Sequence, residues 1–215
     1  DISAVATDTT SVTTARGPNA GTYYRKGRIQ YQGVKGEEKA LYAWSYSRIN
    51  GSTELSYTVY NYTLLSANGG DDNSNTLDMV TTYRDHTMAR RLSETYYNTA
   101  RGEGFDIASY SLNYNSLNLV KDTTVFFYGA NHNKAGDNDG ANPPVYTINE
   151  NTAMTAQVTM DGDIRNTTLA TITFANSAAV GRKAVTYYKG AKDEEVSWFT
   201  VNYDKSTGTR AKDAT

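Results

Sequence analysis

The stretch Ala40-Leu41-Tyr42-Ala43-Trp44-Ser45-Tyr46-Ser47-Arg48-Ile49-Asn50-Gly51, followed by Glu54-Leu55-Ser56-Tyr57-Thr58-Val59-Tyr60-Asn61-Tyr62-Thr63-Leu64-Leu65, decides the fold class. Tyr42, Trp44 and Tyr46 recur at every second position, and so do Leu55, Tyr57 and Val59. A period of two places alternate residues on opposite faces of a strand. Asn50-Gly51 between the two runs is a strong short-range hairpin signal, because both residues tolerate the positive φ of a type I′ turn. Upstream, Thr22-Tyr23-Tyr24-Arg25-Lys26-Gly27-Arg28-Ile29-Gln30-Tyr31-Gln32 alternates in the same way. Residues 21–65 therefore read as a three-strand meander.

Outward from that meander the texture persists. Residues 1–20 are small, polar and without period, the expected texture of a flexible leader. Residues 66–76 form a turn-rich loop. The segment 77–101 fits a helix, with Met79, Tyr83, Leu92 and Tyr96 near helical spacing and Gly102 beyond the end, while a long hairpin is the competing reading. Further on, Tyr110, Leu112 and Tyr114 alternate, and residues 123–129 (TTVFFYG) read as a short buried strand. Residues 130–144 form a long exposed loop. Residues 145–150 (VYTINE), 152–160 (TAMTAQVTM), 167–175 (TTLATITFA), 183–189 (KAVTYYK) and 195–204 (EVSWFTVNYD) read as short strands, with Asp161-Gly162 and Thr207-Gly208 as turns. Strands at such even spacing indicate a mainly β protein, a barrel or a sandwich, with at most one or two short helices.

Composition narrows the function classes. The chain has 215 residues, 38% hydrophobic, with 18 Tyr and 5 Phe supplying core bulk and a net charge of −2. No basic stripe points to nucleic acid, and no apolar run reaches the roughly 20 residues of a spanning helix. The absence of Cys removes disulfides, thiolate nucleophiles and cysteine metal sites. Tyr, Thr, Asn, Ser and Gly dominate, as they do in solvated strands and tight turns of exported β proteins. A chain opening at Asp1 is expected to be the mature part of a processed precursor.

Catalytic signatures are scarce. There is no G-x-S-x-G, P-loop, dinucleotide fingerprint or H-E-x-x-H, and only two histidines are present. The expectation is a protein without enzymatic activity, without catalytic residues and without a metal. The run Asp137-Asn138-Asp139-Gly140 offers hard oxygen donors, yet it lacks EF-hand spacing and reads more simply as a polar hairpin tip. Asp71, Asp72 and Asn73 have the same standing. His132, directly after the FFYG strand, and His86, beside Tyr83 and Met88, are the candidate cofactor-binding residues. Either imidazole is a suitable axial ligand if haem is bound as a ligand. The plain alternative is two surface histidines.

The stretch Ala184-Val185-Thr186-Tyr187-Tyr188-Lys189-Gly190-Ala191-Lys192-Asp193-Glu194-Glu195-Val196-Ser197-Trp198-Phe199 resembles a pattern near the end of barrel domains in transferrin-binding protein B and related Neisseria-type surface lipoproteins. Tyr187, Tyr188, Gly190, Ala191, Glu194 or Glu195, and Phe199 carry the resemblance, with a one-residue shift at the glycine. Ala184/Val185 and Ser197/Trp198 stand where the family has glycines.

The resemblance implies a flexible leader (1–20), an antiparallel β-rich handle (21–115) and an eight-stranded antiparallel C-terminal barrel (116–215). It implies an extracellular or outer-membrane location in a Gram-negative cell, with a lipid anchor on a Cys upstream of Asp1 as the sole membrane contact. It also implies a role in colonisation or nutrient acquisition. The partners it implies are a host protein or small nutrient ligand, together with outer-membrane export or receptor proteins, and no nucleic acid. Haemophore members of the group bind haem. A self-assembling capsid or filament subunit is the reading from another class, with the polar leader added as a strand to a neighbour.

Overall fold

The alternating segments pair in the order in which they occur. The computed structural model describes residues 9–16, 23–33, 38–47, 52–64, 75–100, 102, 105–137, 146–204 and 210–215. Its strands are β1 (Thr9–Arg16), β2 (Tyr23–Gln32), β3 (Lys39–Tyr46), β4 (Glu54–Leu64), β5 (Asn75–Tyr83) and β6 (Arg91–Asn98), then β7 (Ile107–Tyr114), β8 (Val120–Tyr128), β9 (Met154–Asp161), β10 (Arg182–Lys189), β11 (Val196–Tyr203) and β12 (Ala211–Ala214). The order along the sheet equals the order in the chain, so the protein is an antiparallel meander. Among the described residues one short 3₁₀ helix, Asn176–Val180, stands outside it.

The expected meander of residues 21–65 is present as β2, β3 and β4. Arg28 faces Trp44 across one pair and Trp44 faces Tyr57 across the next. The Arg28 guanidinium lies 4.6 Å from the Trp44 ring centroid, and Trp44 lies 5.1 Å from Tyr57. Cross-strand contacts of this kind stabilise a sheet by about 0.2–1 kcal/mol each. Residues 123–128 of TTVFFYG lie within β8, where Val125 and Phe127 are fully buried, and Gly129 begins the turn that follows.

Several expectations are corrected. In the expected helix 77–101, the described residues 77–100 contain no helix: β5 and β6 are strands joined by a tight connection, with the Arg84 N–H donating to the Arg90 carbonyl at 2.9 Å. Val80, Thr81, Thr82, Tyr83, Thr95, Tyr96 and Tyr97 are poor helix formers, and that preference outweighs the loose helical spacing. Residues 167–175 are not a strand either. The Ile164 carbonyl accepts from the N–H groups of Thr167, Thr168 and Leu169, and Thr168 accepts from Thr171 and Ile172. Asn176 adds side-chain bonds to Thr173 N–H (2.8 Å) and the Thr171 carbonyl (3.0 Å). Such local partners compete with a ladder, and β10 already occupies the place beside β9. Of the expected strand 145–150, the described residues 146–150 hold only an isolated bridge at Tyr146. Within the expected leader, Thr9–Arg16 is a strand on β2. Between 116 and 215 the described strands are β8–β12 alone, and their pairings do not close an eight-stranded barrel. The Asn50-Gly51 and Thr207-Gly208 turns, the loop 66–74 and residues 138–145 lie outside the described residues.

The chain divides into two compact units. The first holds residues 1–61, 79–94 and 116–118; the second holds 62–78, 95–115 and 119–215. In the second unit, register places Phe127, Ala156, Tyr187 and Phe199 in one cross-strand row and Val125, Val158, Val185 and Val201 in the next. The turns after β9 fold back over this face. Ile164, Ile172, Leu169 and Phe174 pack there against Val125, Phe127, Val158, Met160 and Val185. A second cluster joins Ile107, Tyr128, Ala135 and Ile148, flanked by Phe126 and Met154.

Candidate functional site

The site begins with the loop that leaves β8. Tyr128 and Asn133 exchange backbone hydrogen bonds at 2.8 and 3.0 Å, which closes the turn Gly129–His132. The next turn is closed by Asp137, whose N–H donates to the Lys134 carbonyl at 3.1 Å while its Oδ2 accepts the Lys134 N–H at 2.7 Å. Ala135, between them, is buried in the second core cluster and anchors the loop. The loop is thus held at both ends and pinned in its middle.

Lys134 then reaches the covering turns: its ammonium donates to the Ala170 carbonyl at 3.1 Å and to the Leu169 carbonyl at 3.5 Å. Together with β6 and β7, these segments border an open cleft of ≈ 330 Å³. Lys134, Asp137, Asn98 and Ser109 contribute polar groups to its walls, while Tyr110 and Leu169 contribute apolar ones. Tyr110 is stacked on Tyr96, with centroids 4.6 Å apart and planes 10° from parallel. Gly136 completes the wall, and a Cβ there would stand 2.9 Å from Asn98 Nδ2. A small, partly apolar recess with a few convergent polar groups has the character of a ligand site.

His132 stands beside this cleft's loop and is half-buried. Its φ of +52° is compatible with the turn it closes. Its ring packs on Phe174 with centroids 4.1 Å apart, and Nδ1 lies 2.9 Å from Thr155 Oγ1. Thr155 has one hydroxyl hydrogen, directed to the Gly129 carbonyl at 2.8 Å. With the Thr155 hydrogen on that carbonyl, Nδ1 carries the imidazole proton and the Nε2 lone pair is open. Burial holds this imidazole below the usual histidine range, so the neutral form prevails near neutral pH.

His86 is different. It lies on the β5–β6 connection, exposed, and both its N–H (3.0 Å) and Nδ1 (2.8 Å) bond to Glu54 Oε2. The hydrogen bond to Glu54, followed by that carboxylate's charge, raises its pKa. His86 belongs to the first unit and His132 to the second. Asp137 of the expected oxygen-rich loop lines the cleft, while Asn138, Asp139, Gly140, Asp71, Asp72 and Asn73 lie outside the described residues. Among the described residues no cluster of three or more His, Asp or Glu side chains is arranged to hold a metal.

Lys134, Asn98, Ser109 and Tyr110 do not stand out in the sequence as site residues. None carries a motif, and three different elements bring them together. The one available signal is the position of Lys134 and Asp137 in the long loop after the FFYG strand, where function concentrates. No family model, no curated protein and no solved structure matches the chain.

Proposed function

We propose that the chain is a non-catalytic binding protein of the Gram-negative cell surface or secreted pool, taking a small ligand in the cleft bordered by Lys134, Asp137, Asn98 and Tyr110. Its role is nutrient acquisition or host contact, with a host or outer-membrane protein as the larger partner. The cleft is the observation that carries this reading: a recess whose loop is held by local hydrogen bonds and whose polar groups keep part of their hydrogen-bonding capacity. Catalysis has less support, because the hydroxyl nearest His132 donates to a backbone carbonyl and is not aligned for deprotonation by the ring. A thermal-shift screen of small metabolites tests the proposal: the expected result is a concentration-dependent rise in Tm for one chemical class. Turnover of ester, peptide or glycan substrates by the purified chain would refute it.

A second reading has its own observation. The open Nε2 of a neutral, ring-packed His132 is the form in which histidine serves as an axial haem ligand. Titration with haemin is then expected to shift the Soret band for the wild-type chain and not for His132→Ala. An unchanged spectrum removes the haemophore reading. The self-assembling subunit rests on the outer strands β1 and β12, each paired on one side only among the described residues. A concentration-independent monomer in sedimentation removes that one.

A further inference from the structure

Lys134 and Asp137 line the same cleft, and their charged groups do not pair with each other. The ammonium is turned to two backbone carbonyls. The carboxylate takes its own loop's N–H on Oδ2, and among the described residues Oδ1 has no partner. Three ammonium hydrogens meet two acceptors, one of them at 3.5 Å, so donor capacity remains. Asn98 is in a similar state: its Oδ1 accepts the Ala100 N–H at 3.2 Å, while Nδ2 has no acceptor among the described residues.

Opposite charges within one recess normally attract and neutralise each other. Here neutral partners hold them apart, and each keeps a hydrogen-bonding position open. A neutral ligand leaves both charges uncompensated, and an anion or a cation satisfies only one. A molecule carrying both charges satisfies both. The apolar stretch of wall, the Tyr110 ring and Leu169, suits a short side chain. The volume admits one residue-sized molecule.

Resting on the reading of this cleft as a ligand site, we propose that its ligand is a small zwitterion, a free α-amino acid. Its carboxylate lies toward Lys134 and Asn98 Nδ2, its ammonium lies toward Asp137 Oδ1, and its side chain lies against Tyr110 and Leu169.

Calorimetry on the intact chain with L-leucine, L-glutamine and L-lysine, each also as the N-acetyl and methyl-ester derivative, tests this; glucose is the neutral comparison. Each cap deletes one charge of the ligand. The expected result is binding of at least one free amino acid, with either cap weakening it by roughly tenfold or more, as loss of a charged hydrogen bond does. On Asp137→Asn the N-acetyl cap is expected to cost little further. On Lys134→Met, checked for folding by circular dichroism, the same is expected of the ester cap. Equal binding of free and capped forms would overturn the inference. So would binding of glucose but of no amino acid, a result that leaves the ligand-site reading standing. Silence from every amino acid and from glucose, together with a flat metabolite screen, would overturn both. Should Lys134→Met fail to fold, the capped ligands on the wild-type chain still separate these outcomes.

Discussion

Glu54 receives two hydrogen bonds from His86, whereas the ring nitrogen Nδ1 of His132 meets a hydroxyl whose own hydrogen is already committed. The two histidines therefore respond to pH with opposite signs. For His86 the folded pKa is raised above the ordinary value of 6.5 by the Glu54 bond. Its contribution to stability is complete below that value and is lost as pH rises through the folded pKa. Glu54→Gln is expected to bring the His86 titration back toward the ordinary range, as read from its ring proton shifts. For His132 the folded pKa is lowered by burial, so the unfolded chain takes the proton first. Stability then falls as pH drops from about 6.5 toward the folded value. Replacement by Asn, which accepts positive φ, is expected to flatten the urea midpoint against pH over that window. No change in slope would show that His132 is not buried in solution. The sequence singles out both histidines but does not rank them, because their difference lies in Thr155 and Glu54, residues 23 and 32 positions away.

At the scale of elements, the covering turns after β9 are the segment whose sequence misleads. Leu169, Ile172 and Phe174 sit close to alternate positions and share the composition of a strand, so periodicity alone does not separate them from one. What decides is a set of Thr and Asn side chains that satisfy the backbone locally, together with a sheet that has no vacancy beside β9. Their packing is substantial. Ile172 is 1% exposed and Phe127, beneath the same cover, is 0% exposed. Ile172→Ala is expected to destabilise by about 2–5 kcal/mol and Phe127→Ala by about 3–5 kcal/mol, measured by urea denaturation. In the β10–β11 turn, Gly190 marks the tight point. Its φ is +126°, and a Cβ there would stand 2.3 Å from the Glu194 carbonyl oxygen. Gly190→Ala is expected to cost about 1–3 kcal/mol through this strain, and a Tm equal to wild type would contradict the turn geometry. Beyond that turn, Tyr187 faces Phe199 and Tyr188 faces Ser197, so Trp198 is the extra residue of a bulge. It stands 59% exposed beneath the Lys189 ammonium. No sequence signal marks it, because bulge position depends on pairing and not on composition.

For the whole molecule, the antiparallel β class and the meander of β2–β4 follow from alternation and turn chemistry. Closure does not, because the same short strands serve a barrel or an open sheet, and only the pairing of the outermost strands distinguishes them. The cleft is hidden for a related reason: it is assembled from β6, β7, a loop and the covering turns, which sequence spacing does not bring together. Among the described residues, both apolar clusters lie in the second unit. Amide exchange is accordingly expected to be slowest at Phe127, Val158 and Val185, in strands paired on both sides and covered on one face. Uniform exchange across β2–β4 and β8–β10 would count against that gradient.

The meander also bears on how the chain reaches its fold. Each strand's hydrogen-bonding partner is the one made just before it, so no strand after the first waits for a distant segment. Loop-closure entropy is then lost in short instalments, and low contact order favours rapid folding for an all-β chain. Such a sheet can be laid down strand by strand as residues emerge from a ribosome. The step that must wait is the return of residues 162–181 over the valine and phenylalanine rows, since β10 and β11, which follow them in sequence, complete the surface they cover.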